Sequence, residues 1–133
     1  MSTEADFREF LPPLILDFER IIGLQAAIEI AERWPGVRLF IPANPGQDHP
    51  ISLCIGWAKA RDLAAEYGGE YVLVPKLGRY WKARRNAVML ERYRAGETAR
   101  KLALEYGLRE DTVYDLVASE QARAQGDLFS EVN

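Results

Sequence analysis

Residues 98–117 read TARKLALEYGLREDTVYDLV, and this stretch decides how the C-terminal part of the chain folds. Thr98 carries the side-chain oxygen that caps a helix, so it predicts a first helix over residues 99–106. Gly107 follows that helix and suits the left-handed turn that ends one. A second helix is predicted from about Glu110 to Ala118. Two short helices joined by a tight turn are typical of a helix-turn-helix, although ordinary helical hairpins also show this pattern.

Apolar residues on both sides of Gly107 have the spacing of one shared core. They precede the turn, flank it and follow it at helical intervals. The small side chain four positions before the glycine lets the two helices approach closely. We therefore expect a common core that contains Leu102, Ala103, Tyr106, Leu108, Val113 and Leu116.

A block of basic residues precedes this stretch, within a segment predicted to be helical from about Arg79 to Arg94. Residues 76–94 hold a charge balance of +6, whereas the whole chain has a net charge of −3. The balance is −5 over residues 1–75 and −4 over residues 95–133. One basic block in an acidic chain is typical of a surface that binds phosphate, and a solvated helix face is the alternative.

The first half contains an internal repeat with a period of 33 residues. Residues 22–42 read IGLQAAIEIAERWPGVRLFIP, and residues 55–75 read IGWAKARDLAAEYGGEYVLVP. Each copy predicts a helix, a glycine and a short strand that a proline ends, with the loop ANPGQDHP between the copies. The strands are too short and apolar to stand alone, so they must pair with each other or with another chain. The first helix is predicted to begin around Pro13 and to carry Leu14, Leu16, Phe18, Ile21, Ile22, Ile28 and Ile30.

These patterns predict a mostly α fold with a small β element. Residues 1–75 form the predicted N-terminal helical dimerisation region with its short strands, residues 76–118 the basic helix plus the helix-turn-helix, and residues 119–133 a mobile tail. Repetition in a small chain suits a two-fold assembly, so we expect a homodimer with helices packed around a shared sheet. The residues expected at the dimer interface are Leu14, Phe18, Ile21, Ile28, Tyr71 and Val72.

The composition argues against several classes of protein. With a single cysteine and a single histidine, the chain lacks the residues for an internal disulfide or a Cys/His zinc site. His49 lies in a loop-like segment and is expected to be solvated, so no enzyme, metal or cofactor is predicted. No run reaches the ~18 apolar residues of a membrane span, and the first residues lack a secretion signal, which favours the cytoplasm.

The chain resembles the Mor/C transcription activators of Mu-like bacteriophages over roughly residues 11–118. The resemblance rests on IIGL, on GGEYVLVP followed by Lys76, on RRN at 84–86, on Tyr93 and Gly96, and on KLALEYGL. It implies a dimeric activator of phage middle or late promoters that acts in the bacterial cytoplasm. It also implies contact with host RNA polymerase.

In such a dimer, the second helix of each helix-turn-helix would enter a major groove of one half-site. The matching positions expected to contact bases are Arg109, Thr112, Tyr114 and Asp115. Those expected to contact phosphates are Lys76, Arg79, Arg84, Arg85, Arg100 and Lys101. The strand residues Tyr71 and Val72 are expected near the minor groove between the half-sites of the double-stranded DNA.

The second helix departs from the family pattern, which usually places Ser or Thr at its start and basic residues further along. Here Arg109 occupies the capping position, and Glu110 and Asp111 follow. Acids suit the positive end of a helix dipole and can accept a hydrogen bond from cytosine, but they repel phosphate. The alternative function is therefore a relative that does not bind DNA and acts as a protein-interaction module or anti-regulator.

The tail contains a short motif of its own. QGDLF, Gln125 to Phe129, resembles the segment by which bacterial proteins dock on the replication sliding clamp. Gly126 stands where that motif usually has Leu. The alternative is a tail that folds back over the domain and buries Phe129.

Overall fold

The computed structural model describes the backbone of residues 3–132 and the side chains of residues 7–123. The chain divides into two compact units, Met1–Trp81 and Lys82–Asn133. The predicted fold class, mostly α with a small β element, is confirmed. After a 3-10 helix at Thr3–Phe10, the elements are α1 Pro13–Ile22, α2 Leu24–Arg33, β1 Arg38–Ile41, α3 Pro50–Ile55, α4 Trp57–Tyr67, β2 Glu70–Leu73, α5 Gly78–Arg94, α6 Ala99–Tyr106 and α7 Glu110–Val132.

A glycine breaks the helix in each copy of the repeat. The prediction of one helix from Pro13 through Ile30 is wrong, because the chain turns at Gly23 with φ 88° and ψ 160°. Gly56, the equivalent residue of the second copy, has φ 94° and ψ 148°. Positive φ with an extended ψ is accessible essentially to glycine alone. Each copy is therefore two helices followed by a strand.

The sequence allows the two strands to pair with each other or with another chain, and in this structure they pair with each other. β1 and β2 are antiparallel, with Leu39 opposite Val72 and Phe40 opposite Tyr71. Alternate residues point to opposite faces of a strand. Ile41 and Val72 accordingly face the core, whereas Tyr71 is 61% exposed on the other face.

The core of the first unit lies between the four helices of the repeat. α1 packs on α2 and α4, and α3 packs on the same two helices. Three of the residues expected at a dimer interface, Phe18, Ile28 and Val72, are already buried in this core. Leu14 and Ile21 are half-buried and Tyr71 is exposed, so only these three keep surface for a second subunit.

A polar cluster joins α1 to α4 beside this core. The Tyr67 hydroxyl donates to Asp17 Oδ2 at 2.5 Å, and Arg20 bridges Asp17 and Glu66 at 2.9 Å each. The hydrogen bond from Tyr67, followed by that from Arg20, lowers the pKa of Asp17. The same bond to Asp17 raises the pKa of Tyr67 to about 12. The cluster therefore holds Asp17 ionised and Tyr67 protonated through the neutral range.

His49 lies in the loop before α3, as predicted, but it is half-buried and caps that helix. Its Nδ1 atom accepts a hydrogen bond from the backbone N–H of Ile51 at 3.1 Å, at the start of α3. The half-buried ring replaces the Ser, Thr, Asp or Asn usual at this position. His49 therefore stabilises the start of α3.

The last helix is longer than the sequence pattern predicts. The predicted end near Ala118 is wrong, because α7 continues to Val132. Residues 118–125 read ASEQARAQ, and most of these residue types favour helix. The side chains of the QGDLF motif, Gln125 to Phe129, lie outside the described residues. Across the described part of the chain, no helix is long and apolar enough to cross a membrane.

Candidate nucleic-acid interface

Local hydrogen bonds set the ends of α6 as the sequence predicts. The Thr98 hydroxyl accepts from the backbone N–H of Lys101 at 3.1 Å and caps the helix. Gly107 ends it in the left-handed conformation, with φ 68° and ψ 34°. The N–H of Leu108 then donates to the carbonyl of Ala103 at 2.9 Å, the bond that closes a helix at such a glycine.

The turn at Gly107 brings α6 and α7 around one small core. Leu102, Ala103 and Val113 are buried together with Ala99, and Tyr93 and Tyr106 pack against them. The predicted shared core is confirmed in these positions, while Leu108 and Leu116 are only half-buried.

One arginine ties this unit together, and the sequence did not reveal it. Arg92 donates to both oxygens of Glu97 at 2.6 and 2.8 Å, to Glu105 at 2.5 Å and to Tyr106 at 3.3 Å. These hydrogen bonds, that to Glu97 first, raise the pKa of Arg92 further above its already high value. Arg92 belongs to the basic block by sequence, but its guanidinium pairs with Glu97 and Glu105 of the same unit. Its two carboxylate partners are five and thirteen residues away, which matches no helical spacing.

The acid partner of this network makes the stability of the second unit depend on pH. Hydrogen bonds from Arg92, then from Lys101, lower the pKa of Glu97 from 4.5 to about 2. Because the folded pKa is the lower one, the stabilisation is complete above pH 4.5 and is lost as the pH falls towards 2. We expect the urea midpoint of the second unit to fall over this pH range. In the Glu97→Gln variant, the urea midpoint should depend less on pH.

A matched control separates this effect from general acid unfolding. Glu91→Gln removes the same charge from an exposed position of α5 in the same unit. We expect it to keep the wild-type dependence of the urea midpoint on pH. A Glu97→Gln curve that parallels wild type between pH 4.5 and 2 would contradict the role assigned to Arg92 and Glu97.

The outward face of α7 carries the residues predicted to contact bases. At 100° per residue, Asp111, Tyr114 and Asp115 lie on one side of the helix and Val113 on the other. Their exposure agrees, since Tyr114 is 51% exposed and Val113 is 2% exposed. Arg109 is exposed just before the helix, 3.8 Å from Asp111, and Thr112 is half-buried. The face is thus an aromatic side chain between two acids, with one arginine at its edge.

Four of the residues predicted to contact phosphate lie in the second unit. Arg100 and Lys101 are exposed in the first turn of α6, and Lys101 pairs with Glu97 at 3.0 Å. Arg84 and Arg85 are half-buried on α5, where Arg85 donates to its neighbour Asn86 at 2.9 Å. The salt bridge of Lys101 reduces the charge available to a ligand.

The other two predicted phosphate contacts, Lys76 and Arg79, belong to the first unit. Both are exposed. The Arg79 guanidinium lies 5.7 Å from the ring centre of Phe10, within cation–π range. A Cβ atom built on Gly36 would come within 3.0 Å of Lys76 Cε, so the Lys76 stem runs along this glycine. Among the described residues, no group of three His, Cys, Asp or Glu side chains is placed to hold a metal ion.

The fold and this face define a mostly helical protein with a small sheet and a C-terminal pair of helices around a glycine turn. The model of the Mor transcription activator family matches residues 46–128. The chain therefore belongs to the Mor transcription activator family, a family of regulators. No curated protein and no solved structure matches the chain significantly.

Proposed function

We propose that this chain is a sequence-specific DNA-binding transcription regulator of a phage or prophage. It acts in the cytoplasm of the bacterial host and activates middle or late promoters through host RNA polymerase. α6 and α7 form its helix-turn-helix, with α7 as the helix that enters the major groove. Two chains, as a homodimer on DNA, would place two α7 helices in two half-sites.

The observation that carries this proposal is the turn at Gly107. It holds α6 and α7 around the buried Leu102 and Val113 and leaves the first turns of α7 exposed, with Tyr114 and Asp115 outward. An exposed helix start on a small rigid support is what a major groove can admit. Membership of a transcription activator family supports the same function.

In this proposal, four basic residues contact the phosphates of the DNA backbone. Arg84, Arg85, Arg100 and Lys101 lie on α5 and α6, the two helices that precede α7. Cations that neutralise phosphates release counterions, so affinity for DNA falls linearly with salt on logarithmic axes. In this proposal these residues hold the backbone, and the face of α7 selects the sequence.

The experiment measures binding to mixed genomic fragments over a series of salt concentrations. The test variant is Arg84→Ala with Arg85→Ala, and the control is Arg33→Ala with Arg61→Ala in the first unit. Both remove two positive charges from the chain. We expect the salt slope to shrink by about 2 in the test variant and to stay unchanged in the control. Genome-wide mapping should then show two-fold sites that the test variant loses.

The acidic face of α7 favours a second function. Asp111 and Asp115 flank Tyr114 on the exposed side, which suits a basic protein surface better than phosphate. In that case the chain is a protein-interaction module or anti-regulator that does not bind DNA. Absence of binding to genomic fragments even in very dilute buffer would favour this function and contradict the first one.

The proposal includes two further partners. Contact with host RNA polymerase follows from activation and is tested by copurification of the polymerase with the promoter-bound protein.

Docking on the sliding clamp would use Gln125–Phe129. Clamp pull-down that Phe129→Ala abolishes supports this docking, and the absence of any pull-down ends it.

A further inference from the structure

The two copies of the repeat are related by a two-fold axis within one chain. In the sheet, Leu39 lies opposite Val72, which is its own equivalent 33 residues later. A shift by 33 turns the pair Phe40–Tyr71 into the pair Leu73–Arg38, and these two are also opposite each other. An antiparallel pairing that maps onto itself in this way has a two-fold axis through the Leu39–Val72 pair.

Hydrogen bonds outside the strands follow the same symmetry. The N–H of Gly36 donates to the carbonyl of Val74 at 2.9 Å, and that of Gly69 donates to Ile41 at 2.7 Å. Gly69 and Ile41 are the repeat equivalents of Gly36 and Val74. The axis therefore relates the turns that lead into the strands, as well as the strands themselves.

The same two-fold axis also relates the helices and the buried side chains of the two copies. Exchange of the copies turns the contact of α1 with α4 into that of α3 with α2, and both contacts are present. Equivalent side chains are buried in pairs on the two sides of the axis. The pairs are Phe18 and Ile51, Ile22 and Ile55, Ala27 and Ala60, Ile30 and Leu63, Ala31 and Ala64, and Ile41 and Val74.

We infer that residues 11–75 form a closed, intrachain two-fold body that does not exchange strands with a second subunit. A single copy would need a second chain to cover its strand and its apolar helix faces, because a lone short strand is unstable in water. Here the first copy covers the strand and the apolar helix faces of the second copy. The match to the family begins at residue 46, so it contains the second copy and leaves out the first, residues 22–42.

This arrangement changes the number of DNA-reading units on each symmetric body. The first copy leads through Pro42 into the loop before α3, whereas the second leads through Pro75 into α5, α6 and α7. Each two-fold body therefore carries one α6–α7 pair, whereas a body built from the second copies of two chains would carry two. A two-fold operator is then bound by two complete bodies. This consequence rests on the proposed function, but the intrachain pairing does not.

The test traps the strand pairing as a disulfide in the full-length protein. Cys54 is the only cysteine, so it is first replaced by Ser. Phe40→Cys and Tyr71→Cys are then combined, since these residues are exposed and directly opposite each other. Opposite residues of antiparallel strands have Cα atoms about 4.5–5.5 Å apart, which a disulfide spans. We expect mild oxidation to give a monomeric band on a non-reducing gel, with both thiols protected from alkylation.

Two controls make the result specific. Phe40→Cys with Leu73→Cys places the cysteines on the diagonal, about 7–8 Å apart, and should protect far fewer thiols. A mixture of chains carrying Phe40→Cys alone and Tyr71→Cys alone, unfolded and refolded together, should give no mixed disulfide dimer above the level of each chain alone. A prominent mixed dimer, or a double variant that becomes cross-linked mainly between chains, overturns the inference. Failure of DNA binding leaves both gels unchanged, so the two proposals fail separately.

Discussion

Leu102→Ala is expected to lower the free energy of unfolding of the second unit by about 2–5 kcal/mol. Leu102 is fully buried between α6 and α7, where it packs with Ala103 and Val113. The core of this unit is small, so few neighbouring side chains are available to move into the cavity. The loss therefore combines the transfer free energy of the removed atoms with the free energy of an unfilled cavity.

Leu104→Ala is the matched control, because Leu104 is two residues away on the same helix and is 77% exposed. We expect it to change the free energy of unfolding by no more than about 0.5 kcal/mol. Urea denaturation followed by far-ultraviolet circular dichroism measures the helices of both units. Trp34 and Trp57 lie inside the first unit, whereas Trp81 lies at its boundary on α5. With Trp81 replaced by Phe, tryptophan fluorescence identifies the transition of the first unit. Equal losses in the two variants would contradict the core assigned to Leu102.

Phe18→Ala is expected to lower the free energy of unfolding of the first unit by about 3–5 kcal/mol. Phe18 is fully buried on α1, and its ring meets that of Tyr67 edge to face with 5.3 Å between centroids. Tyr67 in turn donates to Asp17, so the substitution also loosens the contact of α1 with α4. Urea denaturation followed by tryptophan fluorescence measures the effect.

Phe40→Ala removes the same side chain from the open face of the sheet. Phe40 is 42% exposed and retains one aromatic neighbour, Tyr71, at 5.0 Å between centroids. We expect this variant to lose about 0.5–1.5 kcal/mol, the range of a single aromatic pair. If the free protein were a dimer with Phe18 at the interface, the loss for Phe18→Ala would depend on protein concentration. We expect no such dependence for Phe18, because one chain already buries it completely.

Local sequence signals predicted the second unit well. Thr98 and Gly107 determine the ends of α6 through their own backbone and side-chain geometry, which distant residues hardly alter. Leu102, Ala103 and Val113 follow helical spacing, so their burial follows from the elements. Arg92 could not be predicted, since its bonds to Glu97 and Glu105 require the turn at Gly96 to bring α5 and α6 together.

For the first unit, the sequence by itself determined the 33-residue repeat, the short strands and the mostly helical character. The tertiary structure decided that Gly23 and Gly56 each divide a helix, because a glycine inside a helical pattern is compatible with both continuation and a break. It also decided that β1 pairs with β2 of the same chain. A repeated sequence fits a two-fold axis within one chain or between two chains equally well. Which partner each strand reaches depends on the path of the chain between them, here through α3 and α4, and that path is a property of the tertiary structure.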